Sequence, residues 1–339
     1  RLLDLAELTR GPGHRLLEAT VAMGFSEPVA RAGLGAELEA WTAPGALAAV
    51  LEELPDDLSP ARRPRRVLVI GARTLPVSVM RAVLMARLLG AEVRLKPASG
   101  PSLGIAQALA AADPKVTVTP FSSEDIGARD AAIAAADTVV VLGSDETVAN
   151  LRAAVPTDKG YVGYGHKLSV AWLERTDRSA LRGLALDLCA WDQAGCLSPQ
   201  VAWVAGDPVE VAARLAEALV EVERDLPMAL SAAAAGARTT ARTYAEMVGL
   251  GVETATALIG ALPSAAFRPS PGGRCLWLLP AERSALDPIA GALSTVGISG
   301  GPPASLPEGV RVCPVGEMQR PGLCWPHDGR PNLTPMLRP

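Results

Sequence analysis

Lysine is scarce in this 339-residue chain: only Lys96, Lys115, Lys159 and Lys167 occur, and the other basic side chains are arginines and three histidines. Those histidines, His14, His166 and His327, are too sparse for a His-rich metal site. Aromatic residues make up 4% of the chain, too few for the core of a typical β-sandwich, whereas alanine, glycine and proline are abundant. The five cysteines, Cys189, Cys196, Cys275, Cys313 and Cys324, form no CxxC pair, which excludes a zinc knuckle and a disulfide framework. With no legible signal peptide, this usage reads as reduced and cytoplasmic. No apolar run approaches the roughly 20 residues of a membrane span. A net charge of -4 gives no attraction to nucleic acid or an anionic membrane.

What is present fits a soluble α/β protein. Hydrophobic residues at 49% against 20% charged ones suit globular packing, and the length allows two domains. Residues 1–60 read as helices broken by Gly11-Pro-Gly and Ala43-Pro-Gly, and a solvated linker, Ser59-Pro-Ala-Arg-Arg-Pro-Arg-Arg66, follows. From there strand and helix alternate: strands Val67–Ile70, Glu92–Leu95, Lys115–Thr119 and Thr138–Leu142, and helices Val77–Leu89, Leu103–Ala112 and Ser123–Ala136. Val67–Ile70 is short and all-apolar, and repeated βαβ units with apolar strands predict a doubly wound parallel sheet with ligand sites at strand C-termini. After Leu186 the pattern restarts with helices Pro208–Arg224 and Met228–Ala245, strand Cys275–Leu279, a helix near Pro288–Leu293 and strand Val310–Cys313. The Pro/Gly-rich end from Gly316 to Pro339 is expected to wrap over other elements.

Three loops stand where first-domain strands end. Gly71-Ala-Arg-Thr-Leu-Pro76 lets backbone approach a ligand closely, Lys96-Pro-Ala-Ser99 puts a cation at a strand end, and Gly143-Ser-Asp-Glu-Thr147 opens a helix whose N-terminus favours a phosphate. None is a GxGxxG or Walker loop. In the segment Asp187 to Gln200, Cys196 sits between Gly195 and Leu197-Ser-Pro, after a run apolar enough for a buried strand and before Val201-Ala-Trp-Val-Ala. A cysteine alone is most simply a small core hydrophobe; a thiol at such a break is a nucleophile candidate. Cys189, Cys275 and Cys313 read as core hydrophobes.

The order of these motifs resembles the aldehyde dehydrogenase superfamily, and more closely its acyl-CoA reductase branch, the LuxC-type fatty acid reductases. Val67-Leu-Val-Ile-Gly with Thr74-Leu-Pro76 is similar to the strand and Asn-x-Pro loop of the superfamily, Leu95-Lys-Pro-Ala-Ser99 to its Lys-Pro cofactor loop and Leu142-Gly-Ser144 to its pyrophosphate turn. Tyr164-Gly-His-Lys-Leu-Ser169 is like the branch's glycine-lysine-leucine-serine segment. Asp192-Gln193 through Cys196-Leu-Ser-Pro-Gln200 matches its nucleophile segment, and Gly316-Glu-Met-Gln319 with Trp325-Pro-His-Asp-Gly329 resembles its C-terminal signature.

The resemblance implies an α/β, aldehyde dehydrogenase-like fold: two doubly wound parallel-sheet domains with a cleft between them. N-terminal helices and a nucleotide-binding domain are expected over 1–186, a catalytic cysteine domain over 187–325 and a tail over 326–339. It implies Cys196 as nucleophile toward an acyl thioester, with Thr74 and His166 as further catalytic residues, Gly71, Lys96, Ser99, Gly143 and Ser144 as cofactor contacts, and no metal. Ser99 stands where NAD-preferring relatives often carry an acid, which favours NADPH over NADH. Thr74 replaces an oxyanion-hole asparagine. Aligning Lys167 with the lysine of the oxidising members' Glu-Leu-Gly-Gly-Lys segment puts Gly163 in place of the water-activating glutamate. His327-Asp328 reads as structural, with the Trp325 ring closing the cleft.

The expected activity is NAD(P)H-dependent reduction of acyl-CoA or acyl carrier protein thioesters to aldehydes. Aldehyde oxidation on the same fold needs a carboxylate base that Gly163 does not supply. A non-catalytic subunit binding acyl carrier or partner enzyme draws support from Thr74. The superfamily further implies a homo-oligomer, with an acyl-transfer subunit as a candidate partner.

Overall fold

The computed structural model describes residues 2–229, 231–303 and 306–339. The chain divides into two compact units: Arg1–Met23 with Leu34–His166 and Gly322–Pro339, and Gly24–Gly33 with Lys167–Pro321.

The first unit is built on strands β1 (Arg66–Ile70), β2 (Glu92–Lys96), β3 (Val116–Val118), β4 (Thr138–Leu142) and β5 (Gly160–Tyr164), in the order β3-β2-β1-β4-β5 and all parallel. Helix α1 (Gly11–Ala22), the part of α2 (Glu27–Thr42) from Leu34 onward and α3 (Ala46–Leu51) come first. Then α4 (Pro76–Leu88), α5 (Ser102–Ala112), α6 (Ile126–Ala134) and α7 (Asp145–Ala154) connect the strands. Val67 to Val69 and Val139 to Val141 are fully buried, as strands covered on both faces must be. Leu68, Ile70, Val139 and Val141 pack with Ile133 of α6 and Leu151 of α7. Helix starts follow local chemistry: Pro76 opens α4, the Asp125 carboxylate accepts the N–H of Ala128 to cap α6, and the Ser144 hydroxyl accepts that of Thr147 to cap α7.

The strand order reverses between β1 and β4, the place where doubly wound sheets open a crevice. The two chain exits flanking it are Gly71 and Gly143. The tail folds back on this unit. The Met336 carbonyl accepts the Thr138 hydroxyl at 2.8 Å, and the Arg338 N–H donates to Arg62 O at 2.8 Å. The buried Arg81 guanidinium donates to the carbonyls of Leu323 (2.6 Å) and Trp325 (2.9 Å), while Glu53 accepts the N–H groups of Asn332 and Leu333.

The second unit carries β6 (Leu168–Leu173), β7 (Pro199–Val204), β8 (Leu250–Glu253), β9 (Leu258–Ala261), β10 (Cys275–Pro280), β11 (Leu293–Ser299) and β12 (Arg311–Pro314), with α8 (Arg178–Cys189), α9 (Pro208–Asp225) and α10 (Ala232–Val248). The order is β12-β11-β6-β7-β10-β9-β8, parallel except for β8 against β9. The strand period of two sends Ala202 and Val204 into a cluster with α8 and α9. It sends Val201 and Trp203 into another with Trp277, Ala241 and Ala245.

The structure corrects several readings. The boundary expected at 186/187 gives way to one after His166, because β6 and α8 pack into the seven-stranded sheet. The apolar run before Asp192 is the C-terminal end of α8 rather than a strand, since Leu184, Leu188 and Cys189 recur at helical spacing on its buried face. The expected helix at Pro288–Leu293 is a 3-10 turn, Asp287–Ala292. The Ala-rich helix runs Ala232–Val248, and Leu230 within the expected span lies outside the described residues. Among the described residues no helix is long and apolar enough to cross a membrane.

Candidate active site

In the second unit the chain leaves α8 and makes an unusual turn before the candidate nucleophile. Trp191, Asp192 and Gln193 all adopt the left-handed region, with φ of 53°, 50° and 62°. Each such residue without glycine's freedom costs of order 1 kcal/mol and persists only where its surroundings enforce it. Here they do. The Gln193 amide N–H donates to the carbonyls of Pro199 (2.8 Å) and Cys275 (2.6 Å), and its oxygen accepts the Cys275 N–H at 2.8 Å. Asp192 pairs at 2.6 Å with Arg274, whose side chain is fully buried. That guanidinium also donates to Leu226 O (2.7 Å), Thr256 Oγ1 (2.9 Å) and Cys189 O (3.3 Å). The Trp191 ring packs edge-on against Phe25.

After this anchored turn, Ala194 to Leu197 come to the surface. Cys196 is exposed, and its carbonyl accepts the Ser169 hydroxyl from the start of β6 at 2.6 Å. The following turn is closed by the Ser198 N–H on Gly195 O at 3.1 Å. Cys196 therefore stands at the N-terminal edge of β7, not at a strand C-terminus. The other thiols of this unit are buried. Burial pushes Cys189 up to about 12 and Cys275 and Cys313 up to about 11, so they remain protonated at neutral pH.

The residues expected to hold a cofactor cluster at the strand ends of the first unit. The Gly71 N–H donates to Lys96 O at 2.9 Å, joining the exits of β1 and β2. Lys96 is buried, lies 5.6 Å from the Phe121 ring centroid and 3.4 Å from Ser123 Oγ, and burial lowers its pKa. Ser99 is exposed and accepts a hydrogen bond from Arg73 at 2.7 Å. Thr74 is exposed on the same loop. Together Gly71, Leu75, Pro76, Val79, Pro97 and Ile105 line an apolar hollow beside these strand ends.

Across the switch point, the Gly143 N–H donates to Tyr164 O at 3.1 Å, and a side chain on Gly143 would press on Thr147 at 3.2 Å. Ser144 is exposed, with its hydroxyl engaged as the α7 cap. The first turn of α7 also carries Asp145 and Glu146, so this helix end already holds negative charge. Asp145 accepts the backbone N–H of His166 at 2.7 Å, which folds the exposed His166 over the Gly143 turn. Gly163 has no room for a side chain: a Cβ there would lie 2.5 Å from Val148.

The tail contributes a different cluster. His327 stacks on Tyr164 with centroids 4.1 Å apart and lies near the Trp325 ring. Burial, reinforced by Arg81 and Arg330, pushes its pKa down to about 3, so it is a neutral structural ring. Among the described residues no group of His, Cys, Asp or Glu is gathered to hold a metal ion.

The roles of Arg274 and Gln193 were not legible in the sequence. Gly272-Gly273 before Arg274 signals unusual backbone, and all three are left-handed, but their partner lies some eighty residues away in the chain.

Comparison with known proteins is consistent with this geometry. The family described as acyl-CoA reductase (LuxC) matches residues 66–258, more than half of the chain. No curated protein sequence matches. Among solved structures, the indole-3-acetaldehyde dehydrogenase of Pseudomonas syringae, a mutant in complex with NAD+, aligns with a TM-score of 0.69 at 14% identity, over 96% of this chain and 77% of that one. A mutant of aldehyde dehydrogenase C from Pseudomonas syringae, complexed with NAD+ and octanal, gives 0.65 at 18%, over 88% and 70%. The NADP-dependent glyceraldehyde-3-phosphate dehydrogenase of Bacillus halodurans, complexed with NADP, gives 0.59 at 15%, over 88% and 72%. At these identities the likeness shows an aldehyde dehydrogenase-like fold.

Proposed function

The chain belongs to the LuxC acyl-CoA reductase family, and from that premise we propose that it reduces an acyl thioester to an aldehyde with NADPH, through an acyl group carried on Cys196. The observation that carries the reading is the exposed Cys196 on a turn held by buried polar contacts, while Cys189, Cys275 and Cys313 are buried. A nucleophile needs access and a fixed position, and this thiol has both.

In the proposed reaction the Cys196 thiolate attacks the thioester carbonyl. A bond forms between its sulfur and the acyl carbon, the bond to the carrier sulfur breaks, and the carrier leaves as a thiolate that takes up a proton. The backbone N–H of Cys196 supplies an oxyanion donor. The acyl group then sits as a thioester that water attacks poorly without a positioned base. Gly163, packed against Val148, leaves no space for the carboxylate that an aldehyde-oxidising enzyme uses there.

The strand-end residues fit a dinucleotide: Gly71 and Gly143 bring bare backbone to the switch point, and the buried Lys96 offers a cation at the end of β2. Lys96 and Ser99 would hold the adenosine ribose, and Gly143 and Ser144 the pyrophosphate. When bound, the nicotinamide supplies the reducing hydride equivalent. NADPH is favoured over NADH because Ser99 carries no charge to repel a 2′-phosphate.

The test is incubation with a long-chain acyl-CoA and NADPH while nucleotide absorbance and products are followed. Nucleotide oxidation with aldehyde formation, lost in Cys196→Ala, is the expected result. No consumption, or a carboxylic acid as the main product, overturns the proposal.

A further inference from the structure

Arg73 was not among the residues expected to contact a ligand, and its position gives it a specific task. It lies two residues beyond Gly71, in the loop joining β1 to α4. Its guanidinium reaches across to the loop after β2 and donates to Ser99 Oγ at 2.7 Å. Because the Gly71 N–H is bonded to Lys96 O, the two loops are held side by side. The result is a small basic platform, with the Arg73 guanidinium and Ser99 hydroxyl exposed at its surface and the buried Lys96 at the neighbouring strand end, near Ser123 Oγ at 3.4 Å. Neither cation takes part in an ion pair among the described residues.

The end of the second strand is where dinucleotide folds of this kind meet the adenosine ribose, through an acid for a free 2′-hydroxyl or an arginine for a 2′-phosphate. Between Glu92 and Asp113 this chain has no Asp or Glu, so the loop after β2 carries no carboxylate for a ribose diol. It offers instead a planar guanidinium with further N–H donors beyond the one spent on Ser99, the geometry suited to two phosphate oxygens. Resting on the nucleotide-binding reading above, we infer that Arg73 is the specificity-determining residue of this site, clasping the 2′-phosphate of NADPH from the β1–α4 loop, with Ser99 orienting its guanidinium. At the opposite side of the switch point, α7 presents Asp145 and Glu146. The charge asymmetry between the two loops therefore places the most anionic end of the nucleotide beside Arg73.

Direct binding separates this assignment from catalysis. NADPH and NADH are titrated by nucleotide fluorescence, and adenosine 2′,5′-bisphosphate and 5′-AMP by calorimetry, on the wild type, Arg73→Gln and Ser99→Glu. Both substitutions lie at exposed loop positions. The wild type is expected to bind the 2′-phosphorylated member of each pair more tightly. Arg73→Gln should lower that preference about tenfold, as loss of a charge-assisted phosphate contact does. Ser99→Glu should invert it, by pairing Arg73 internally and repelling the phosphate. Equal loss of NADH and NADPH affinity in Arg73→Gln would make Arg73 a pyrophosphate contact and overturn the inference. So would a wild-type preference that Arg73→Gln leaves intact, and in both cases the nucleotide site itself would stand. Binding of none of the four probes to the wild type removes both the site and the inference.

Discussion

Gln193 and Cys275 bond each other in both directions: the amide N–H of Gln193 donates to Cys275 O at 2.6 Å, and the Cys275 N–H donates to Gln193 Oε1 at 2.8 Å. This pair ties the turn before Cys196 to the start of β10, a central strand of its sheet.

Replacing Gln193 by leucine keeps the volume but leaves the Cys275 N–H and the Pro199 carbonyl unpaired inside the protein. Each buried orphan costs about 1–3 kcal/mol. Chemical denaturation of Gln193→Leu should show a loss of about 2–6 kcal/mol, and the rate of Cys196 alkylation should change under conditions where the variant is fully folded. An unchanged alkylation rate would limit Gln193 to stability alone.

Arg274→Met should be more severe. It leaves Asp192 buried without its partner and removes the donors to Leu226 O and Thr256. Breaking one side of a buried pair costs about 3–5 kcal/mol. Asp192→Asn with Arg274 intact still accepts a hydrogen bond and should cost less, a ranking that denaturant midpoints check directly.

Much of this organisation was readable beforehand, for reasons that differ by element. β1 and β4 are short, apolar after their first residue and followed by glycine, so the sequence pattern and the buried parallel sheet say the same thing. β5 and β11 escaped because Gly160, Gly163 and Gly297 dilute their apolar runs. The end of the helix at Cys189 reads as a strand because Leu184–Leu186 and Leu188–Trp191 are apolar with only Asp187 between them, and only the longer stretch back to Arg178 shows the helical period. Cys196, Lys96 and the glycine turns were recognisable as local motifs. Arg274 and Arg73 were not, since each acts through a partner that only the folded chain brings near.

The distribution of thiols gives a simple chemical prediction. Cys196 and Cys324 are exposed, whereas Cys189, Cys275 and Cys313 are buried and held protonated. Limited iodoacetamide treatment of the native protein should label Cys196 and Cys324 and spare the other three, as read by peptide mass mapping. Early labelling of Cys189 would contradict the packing of α8.

His327 makes stability depend on pH. Its folded pKa of about 3 lies below the ordinary value of 6.5, so the unfolded chain takes up a proton first as the solution is acidified. The contribution is intact above about pH 6.5 and is lost as pH falls toward 3, amounting to up to about 2 kcal/mol by pH 5. His327→Phe keeps a ring against Tyr164 and removes the titration. Relative to wild type, its unfolding free energy should rise as pH falls from 6.5 to 5, and a parallel pH profile for the two proteins would contradict the assignment.

The most direct measurement is the intact mass of the protein after brief exposure to a long-chain acyl-CoA with no nucleotide present, followed by peptide mapping. A single added acyl group located on Cys196, discharged on addition of NADPH with release of aldehyde and absent from Cys196→Ala, is the predicted result. An unmodified mass, or an acyl group found elsewhere and indifferent to NADPH, contradicts acyl transfer through Cys196.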